Sequence, residues 1–475
     1  MARRVARKQS RSAAKPATTT PAERQLAEGR DARRRCPRSS HAPARRVRHD
    51  RDPVELLIES DRGRLPELIP VRHSRMLESP FAFFRGSAVI QAHDLAQTPR
   101  SGIEVQACGD CHLLNFGGFA TPERNLIFDI NDFDETHRGP WEWDVKRLAV
   151  SLVLAARWRE LSAAGAAGIV TAAVGRYRKS MREFAGLSTL ETWYARVDFA
   201  DILDQLRDHP KLAKQLAASV KVARSHTAEH TFHKLTRNDH GTPRIIDQPP
   251  LLYHPTGREE EQKVVVAKSL KEYAKTLRDE YQQLLARFRM VDAAIKVVGV
   301  GSVGTRCLIV LMLGEHGDPL FLQLKEARRS VIERHVAKSP WRNQGQRVVT
   351  GQRLMQTVSD IFLGWARGPA GRDYYVRQLR DMKCAADLTK YNADMLDQYG
   401  QLCARALARA HAKSGSAAAV SGYLGTGPAF DDAIARYAAA YADQVERDYA
   451  AFATAVRRGR IRTETSSGPV AELIR

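Results

Sequence analysis

Apolar residues recur every three or four positions along three stretches of the chain, and this spacing predicts amphipathic helices. Residues 144–185 carry Ala, Leu and Val at that interval. Leu270, Tyr273, Leu277, Tyr281, Leu284 and Phe288 mark a second, long helix, and Phe430, Ile434, Tyr437, Tyr441, Val445 and Phe452 mark one face of a third over residues 429–456. These stripes read as core faces. Elsewhere the period drops to two. Ile295–Val298, Thr305–Leu313 and Leu320–Lys325 read as successive strands, joined by Gly299-Val300-Gly301-Ser302-Val303-Gly304 and by a turn at Gly314–Asp318. Alternation in the last strand puts Leu320, Leu322 and Leu324 on one face and Phe321, Gln323 and Lys325 on the other. Nearer the N-terminus, Phe81–Phe83–Phe84 and a short helical segment ending near Ala96 precede a strand-like approach from Val105 and a second strand, Asn125–Ile130. The proline- and glycine-bearing segment from Asp239 to Gly257 reads as a loop or hairpin between lobes.

With 475 residues, 43% hydrophobic and 27% charged, the chain has the composition of a globular protein and the length for more than one lobe. Its six cysteines are too scattered for a disulfide framework, so a reducing compartment, the cytoplasm, is expected. The most apolar stretch, Leu148 to Val174, is broken by Arg157, Arg159 and Glu160, and no membrane partner is expected. The net charge of +21 is uneven: residues 1–50 hold 15 Lys or Arg against 4 Asp or Glu. That segment has few large apolar residues and reads as a disordered basic tail with weak polyanion binding as its one possible use. No apolar stretch follows its early arginines, so no secretory signal is expected.

Chemistry concentrates after Val105. The string Cys108-Gly109-Asp110-Cys111-His112-Leu113-Leu114-Asn115-Phe116 leads to the strand that delivers Asp129, Asp132, Asp134 and Glu135. Four acids in seven residues repel one another unless cations or donors stand close, and a divalent metal fits. Cys108 to His112 also matches the attachment string of a c-type haem, and its first four residues a redox Cys-x-x-Cys. Haem attachment normally accompanies export and the redox motif opens a helix, so packing is the simpler reading for both thiols. Around the glycine loop, a dinucleotide fold would need a helix to follow, whereas Thr305-Arg306-Cys307-Leu308-Ile309-Val310 is β-rich; a hairpin covering phosphates suits it better.

The strings SPFAFFRG, GDCHLLNFG, FDINDFDET, GPWEWDVKRLAVS, VGSVGTRC, LQLKEA, GQRLMQTVSDIFLGW and LARAHA resemble, from about Arg72 to Tyr449, the uncharacterised bacterial family called domain of unknown function 2252. That family is similar to kinase-like phosphotransferases acting on aminoglycosides, choline and related substrates. Their loop, His-Gly-Asp-x-His-x-x-Asn, is matched by Gly109, Asp110, His112 and Asn115, with Cys108 in place of the first His. Asp132-Phe133-Asp134-Glu135, Gly139-Pro140 and Asp144-Val145 follow in register. The order differs: here the catalytic loop precedes the glycine loop, and Leu407-Ala408-Arg409-Ala410-His411-Ala412 comes later still.

The resemblance implies an α+β, protein-kinase-like two-lobed fold in circularly permuted order, with a mostly helical larger lobe and a small antiparallel-sheet nucleotide lobe. Residues 51–290 would hold the catalytic loop and a helical insertion, 291–385 the nucleotide lobe, and 386–475 the remaining helices. It implies ATP and Mg2+ as cofactors. Asp110 would orient or deprotonate the acceptor hydroxyl, with His112 bracing the loop; Asn115 and Asp132 would hold magnesium, and Asp134 a second metal. Gly299, Gly301, Ser302 and Gly304 would approach the phosphates, Lys325 would add a point charge, and Asp144 would anchor backbone. Neither Glu326 nor Glu333 is assignable as the lysine's usual glutamate partner. Arg72, Arg75 and Arg85 are candidates for an anionic substrate or for surface ion pairs. Permutation requires the end of the Ala404–Ala412 helix to approach Val105, and requires Lys325 to face Asp110, Asn115 and Asp132 across one cleft. Three functions fit: phosphoryl transfer to an unknown small-molecule or protein hydroxyl, nucleotidyl transfer, or nucleotide-dependent regulation without catalysis.

Overall fold

Capping residues and prolines set where the N-terminal helices begin. In the computed structural model, which describes residues 20–43, 51–207, 210–225, 227–379 and 382–464, Thr20 and Glu23 form a reciprocal capping box ahead of Pro21. The helices run α1 Pro21–Arg35, α2 Pro53–Asp61, α3 Ile69–Met76, α4 Pro80–Gly86, α5 Ala88–Leu95, α6 Trp141–Trp158, α7 Ala163–Ala185, α8 Thr189–Tyr194, α9 Phe199–Gln205, α10 Pro210–Ser225, α11 Ala228–Leu235, α12 Glu259–Ala274, α13 Asp279–Leu285, α14 Gln344–Met355, α15 Ala393–Ser414, α16 Ala417–Leu424 and α17 Ala429–Arg457. The strands are β1 Glu104–Ala107, β2 Phe116–Ala120, β3 Leu126–Ile130, β4 His137–Pro140, β5 Thr236–Asp239, β6 Thr242–Ile245, β7 Leu252–Tyr253, β8 Arg289–Lys296, β9 Cys307–Leu313, β10 Pro319–Glu326, β11 Gly364–Arg367, β12 Asp373–Gln378 and β13 Cys384–Ala385. The class is α+β, with antiparallel sheets.

Two helical expectations are divided by the structure. The apolar stretch over 144–185 breaks at Arg159–Ser162, where Glu160 takes a positive φ of 57°. The single long helix expected through Leu270–Phe288 is instead α12 and α13, and the chain turns into β8 at Arg289.

The basic tail is corrected more deeply. Within residues 20–43, α1 packs along α16, with Ala32 and Cys36 buried. Arg33 and Arg38 donate to the carbonyls of Gly422 and Leu424 at the end of α16, so these two charges cap a helix. His41 Nε2 lies 2.7 Å from the buried Tyr423 hydroxyl. Residues 1–19 and 44–50 lie outside the described residues.

Most of the helical core surrounds α6, which is buried from Trp141 to Ala156 and packs against α7, α15 and α17. A six-stranded antiparallel sheet, ordered β11–β12–β10–β9–β8–β7, forms the other part. Leu320, Leu322 and Leu324 meet Val266, Leu270 and Tyr273 of α12 on one face, while Phe321 joins Ile245, Leu252 and Ile309 on the other. The alternation is as expected, but the boundary at residue 290 is not. The stripe on α12 is buried by the sheet, so α12, α13 and β7 belong with the strands; β13 leaves them and pairs with Gly117–Gly118 of β2. Finally, the end of α15 reaches β1: Ser414 Oγ donates to Gln106 O at 3.4 Å, and a Cβ on Gly415 would lie 2.7 Å from Val105 Cγ1.

Candidate active site

The Cys108–Asn115 loop is held from both sides. Gly109 sits at φ +82°, and a Cβ there would fall 2.2 Å from the Glu135 carbonyl oxygen, so glycine is required twice over. Asp144, in the first turn of α6, accepts from the amides of Cys108 (2.5 Å) and Gly109 (3.0 Å). His411 Nε2 of α15 reaches the same carboxylate at 3.1 Å, and its Nδ1 meets Tyr177 Oη at 2.8 Å. Asp144 thus anchors the loop as expected.

Asp110 Oδ1 accepts from Arg147 Nε at 2.5 Å. Arg147 is fixed in turn by Gln91 Oε1, by the Phe84 carbonyl and by the Phe84 ring beneath its guanidinium. Burial raises the Asp110 carboxyl pKa and Arg147 opposes that rise. Asn115 Nδ2 donates to Asp110 O at 2.6 Å, closing the loop on itself. His112 is buried, and burial, then Arg85 and Arg147, keep its imidazole well below the usual range and neutral.

The acidic run finds its counter-charges within the chain. Asp129 pairs with Arg409 at 2.8 Å, and Asp134 Oδ2 meets Lys325 Nζ at 2.8 Å, with Asp132 Oδ2 3.9 Å from that nitrogen. Asp134 also accepts from Ser302 Oγ (2.8 Å) and Tyr375 Oη (2.6 Å). Tyr375 lies directly opposite Lys325 in the β10–β12 ladder, which is why both reach one carboxylate. Burial alone would raise Asp134; the lysine and these donors hold it below the usual carboxylate range. Burial likewise disfavours the lysine's charge, but Asp132 and Asp134 raise its pKa well above normal. Glu135 accepts from the Val331 amide at 2.7 Å, and burial pushes its carboxyl up to about 7.

The glycine loop joins β8 to β9 as a hairpin with a single 3-10 turn at Val300–Ser302, and no Rossmann-type helix opens there. Gly304 requires its glycine, at φ +85° beside Arg64. Gly299 does not: a Cβ there would meet nothing within 4 Å, so the chain's own packing leaves that space open. The loop therefore stands at the lysine and the acids, with Ser302 touching Asp134.

Among the described residues, no group of three or more His, Cys, Asp or Glu side chains could hold a metal ion by itself. Magnesium does not demand one, since it commonly takes one or two carboxylates together with substrate phosphates. Asp132, with its side chain 36% exposed, is a carboxylate of that kind, and Asn115 has its amide nitrogen committed to Asp110 O with its amide oxygen left as a donor for a metal. Asp134 does not fit the second-metal expectation here, because both its oxygens already serve donors.

The thiols have no visible chemistry. All six cysteines are free; burial drives Cys111 well up, and at Cys108 burial and nearby carboxylates outweigh the lowering hydrogen bond with Cys111. Neither candidate glutamate touches Lys325: Glu326 pairs with Arg306 and Arg372, while Glu333 accepts from the Ser339 amide. The helix after the lysine strand, α14, contains no acid, and its Arg347 donates to the carbonyls of Asp134 and Thr136. Arg147, Arg347, Tyr375, Arg409 and His411 were not singled out by role in the sequence; their signal is a lone polar residue on an apolar helix face or beside the lysine across a ladder. No curated protein and no solved structure matches the chain. A family model does match, over residues 64–455 and therefore over the loop, the acids, the hairpin and the lysine together. The chain belongs to domain of unknown function 2252 (DUF2252), the family described as an uncharacterized protein conserved in bacteria.

Proposed function

We propose that this protein is an ATP- and Mg2+-dependent phosphotransferase with a circularly permuted, protein-kinase-like fold, acting on the hydroxyl of a small molecule or protein. One observation carries the reading: Lys325 and Ser302 from the sheet meet Asp134 and approach Asp132, on the same chain turn that follows the Asp110 loop. The open space at Gly299 and the contact of Ser414 and Gly415 with β1 support it.

Phosphoryl transfer asks a protein for position and charge more than for covalent chemistry. The acceptor oxygen forms the new bond to the terminal phosphorus as the bond to the bridging oxygen breaks, releasing ADP. The hydroxyl proton passes to Asp110, whose Oδ1 is held by Arg147. Lys325 supplies positive charge to the phosphates, and Asp132 with Asn115 would hold magnesium, which neutralises charge building on them.

The fixed pairing of Asp110 with Arg147 also favours a second reading, nucleotide-dependent regulation without turnover. Incubation with Mg–ATP and a metabolite extract, followed by mass analysis, separates the readings. A gain of one phosphate on an acceptor, with ADP released, is expected. A gain of one nucleoside monophosphate means nucleotidyl transfer, binding without turnover means regulation, and absence of Mg–ATP binding by thermal shift overturns all three.

A further inference from the structure

The arginines leading into the catalytic loop fall into two groups. Arg72 is held at both terminal nitrogens, donating to Asp61 Oδ1 and to the Gly86 carbonyl, each at 2.6 Å, and only its Nε is buried without a partner. Arg64 donates to the carbonyls of Val303 and Gly301, fastening the glycine loop. Arg75 and Arg85 differ. Arg75, 3% exposed, makes one hydrogen bond, from Nη1 to Val298 O at 2.7 Å, and its Nε and Nη2 are buried with no partner. Arg85 Nε is buried with no partner, and the Phe81 ring lies 5.9 Å from its guanidinium carbon. His112 Nδ1 is likewise buried and unpartnered.

Arg75 and Arg85 both border the glycine loop, Arg75 through its bond to the Val298 carbonyl, and His112 lies two residues past Asp110. The Arg85 carbonyl oxygen lies 3.4 Å from where a Cβ on Gly301 would stand, so the residue borders the glycine loop. Its charge acts on Asp110 and on His112, and Arg75 lies close enough to feel it. The nearby acids Glu78 and Glu464 act on Arg75 at a distance without pairing with it. Burying guanidinium donors without an acceptor is unfavourable, and an oxyanion is the ligand that satisfies them.

We propose that Arg75, Arg85 and His112 form an oxyanion subsite beside Asp110, and that the acceptor is a hydroxyl compound carrying its own phosphate or carboxylate. This rests on the phosphotransferase reading. It sets the protein apart from the kinases of cationic acceptors, aminoglycosides and choline, which its motifs resemble, because a cation would be repelled here.

The same oxyanion chemistry could be met by the terminal phosphate of the nucleotide, and the test separates the two. Inorganic phosphate is titrated into the full, nucleotide-free chain by calorimetry, using wild type, Arg85→Gln, Arg85→Lys and Lys325→Ala, with cooperative melting as the check on folding. Phosphate binding that persists in Lys325→Ala, weakens by about tenfold or more in Arg85→Gln and is partly restored in Arg85→Lys is expected. Mg–ATP and Mg–ADP affinities should respond alike to Arg85→Gln. Loss confined to Mg–ATP assigns the arginine to the nucleotide's terminal phosphate and overturns the proposal. So does phosphate binding that is lost in Lys325→Ala but kept in Arg85→Gln, or an absence of phosphate binding in wild type. If Arg85→Gln fails to melt cooperatively, Arg75→Gln takes its place with the same outcomes. Failure of wild type to bind Mg–ATP while the phosphate results hold removes the phosphotransferase reading and leaves the anion subsite standing.

Discussion

Lys325 Nζ and Asp134 Oδ2, 191 positions apart in sequence, meet at 2.8 Å where the sheet faces the acidic run after the Asp110 loop. The lysine's partner is an aspartate of the acidic run, while Glu326 and Glu333 bond elsewhere. This pairing joins the cation to the acid cluster, so under the proposed function one residue bears on both stability and nucleotide binding.

Lys325→Ala should therefore weaken Mg–nucleotide binding by more than about tenfold and lower stability by about 2–4 kcal/mol, since it strips a partly buried carboxylate of its cation. Titration calorimetry and denaturant melts measure the two effects. Normal nucleotide affinity in a folded variant would remove the lysine from the site.

Asp110 and Asp132 should separate by function. Asp110→Ala is expected to abolish transfer, by about a hundredfold or more, with Mg–nucleotide affinity retained, whereas Asp132→Ala loses both. Equal loss of binding in both variants would count against the roles given to them.

Glu135 predicts a pH dependence with a defined sign. Its folded carboxyl titrates at about 7, above its ordinary value of 4.5, so the folded state binds the extra proton. The resulting stabilisation is complete below the unfolded value and is lost as pH rises through the folded one. Glu135→Gln keeps an acceptor for the Val331 amide and cannot ionise. Its melting temperature relative to wild type should rise by a few degrees between about pH 5 and pH 8, the size of a 1–2 kcal/mol effect. Parallel melting profiles would refute this.

Deleting residues 1–43 should lower the melting temperature by several degrees, because α16 then loses the helix that covers it and Tyr423 loses His41. An unchanged melt would show that this packing contributes little.

Much of the site could be read from local pattern. Alternation aimed Lys325 and β-rich flanks marked the glycine hairpin, while the anchoring role of Asp144 came from the family resemblance alone. The counter-charges could not be read so. Arg147 and Arg409 share their helices with other cations, and nothing nearby in sequence says which carboxylate each will meet. Residues 20–43 were obscured by composition, since arginines outnumber large apolar groups; yet Thr20-Pro21-Ala22-Glu23 carries a helix-start signal independent of charge. The tilt of α12 onto the sheet is a tertiary fact that no boundary in composition announces.

The distance between Asp144 and His411 has a consequence for how the chain is made. Asp129 and Asp144 leave the ribosome soon after the loop that Asp144 organises, but Arg409 and His411 follow 280 and 267 residues later. At about 5–20 residues per second, the two acids wait roughly a quarter of a minute to a minute for their partners. Until then, burying them is unfavourable, and the loop near the start of synthesis stays unfinished. A chain released before residue 411 lacks the means to complete it, so the arrangement ties assembly of the cleft to near-complete translation.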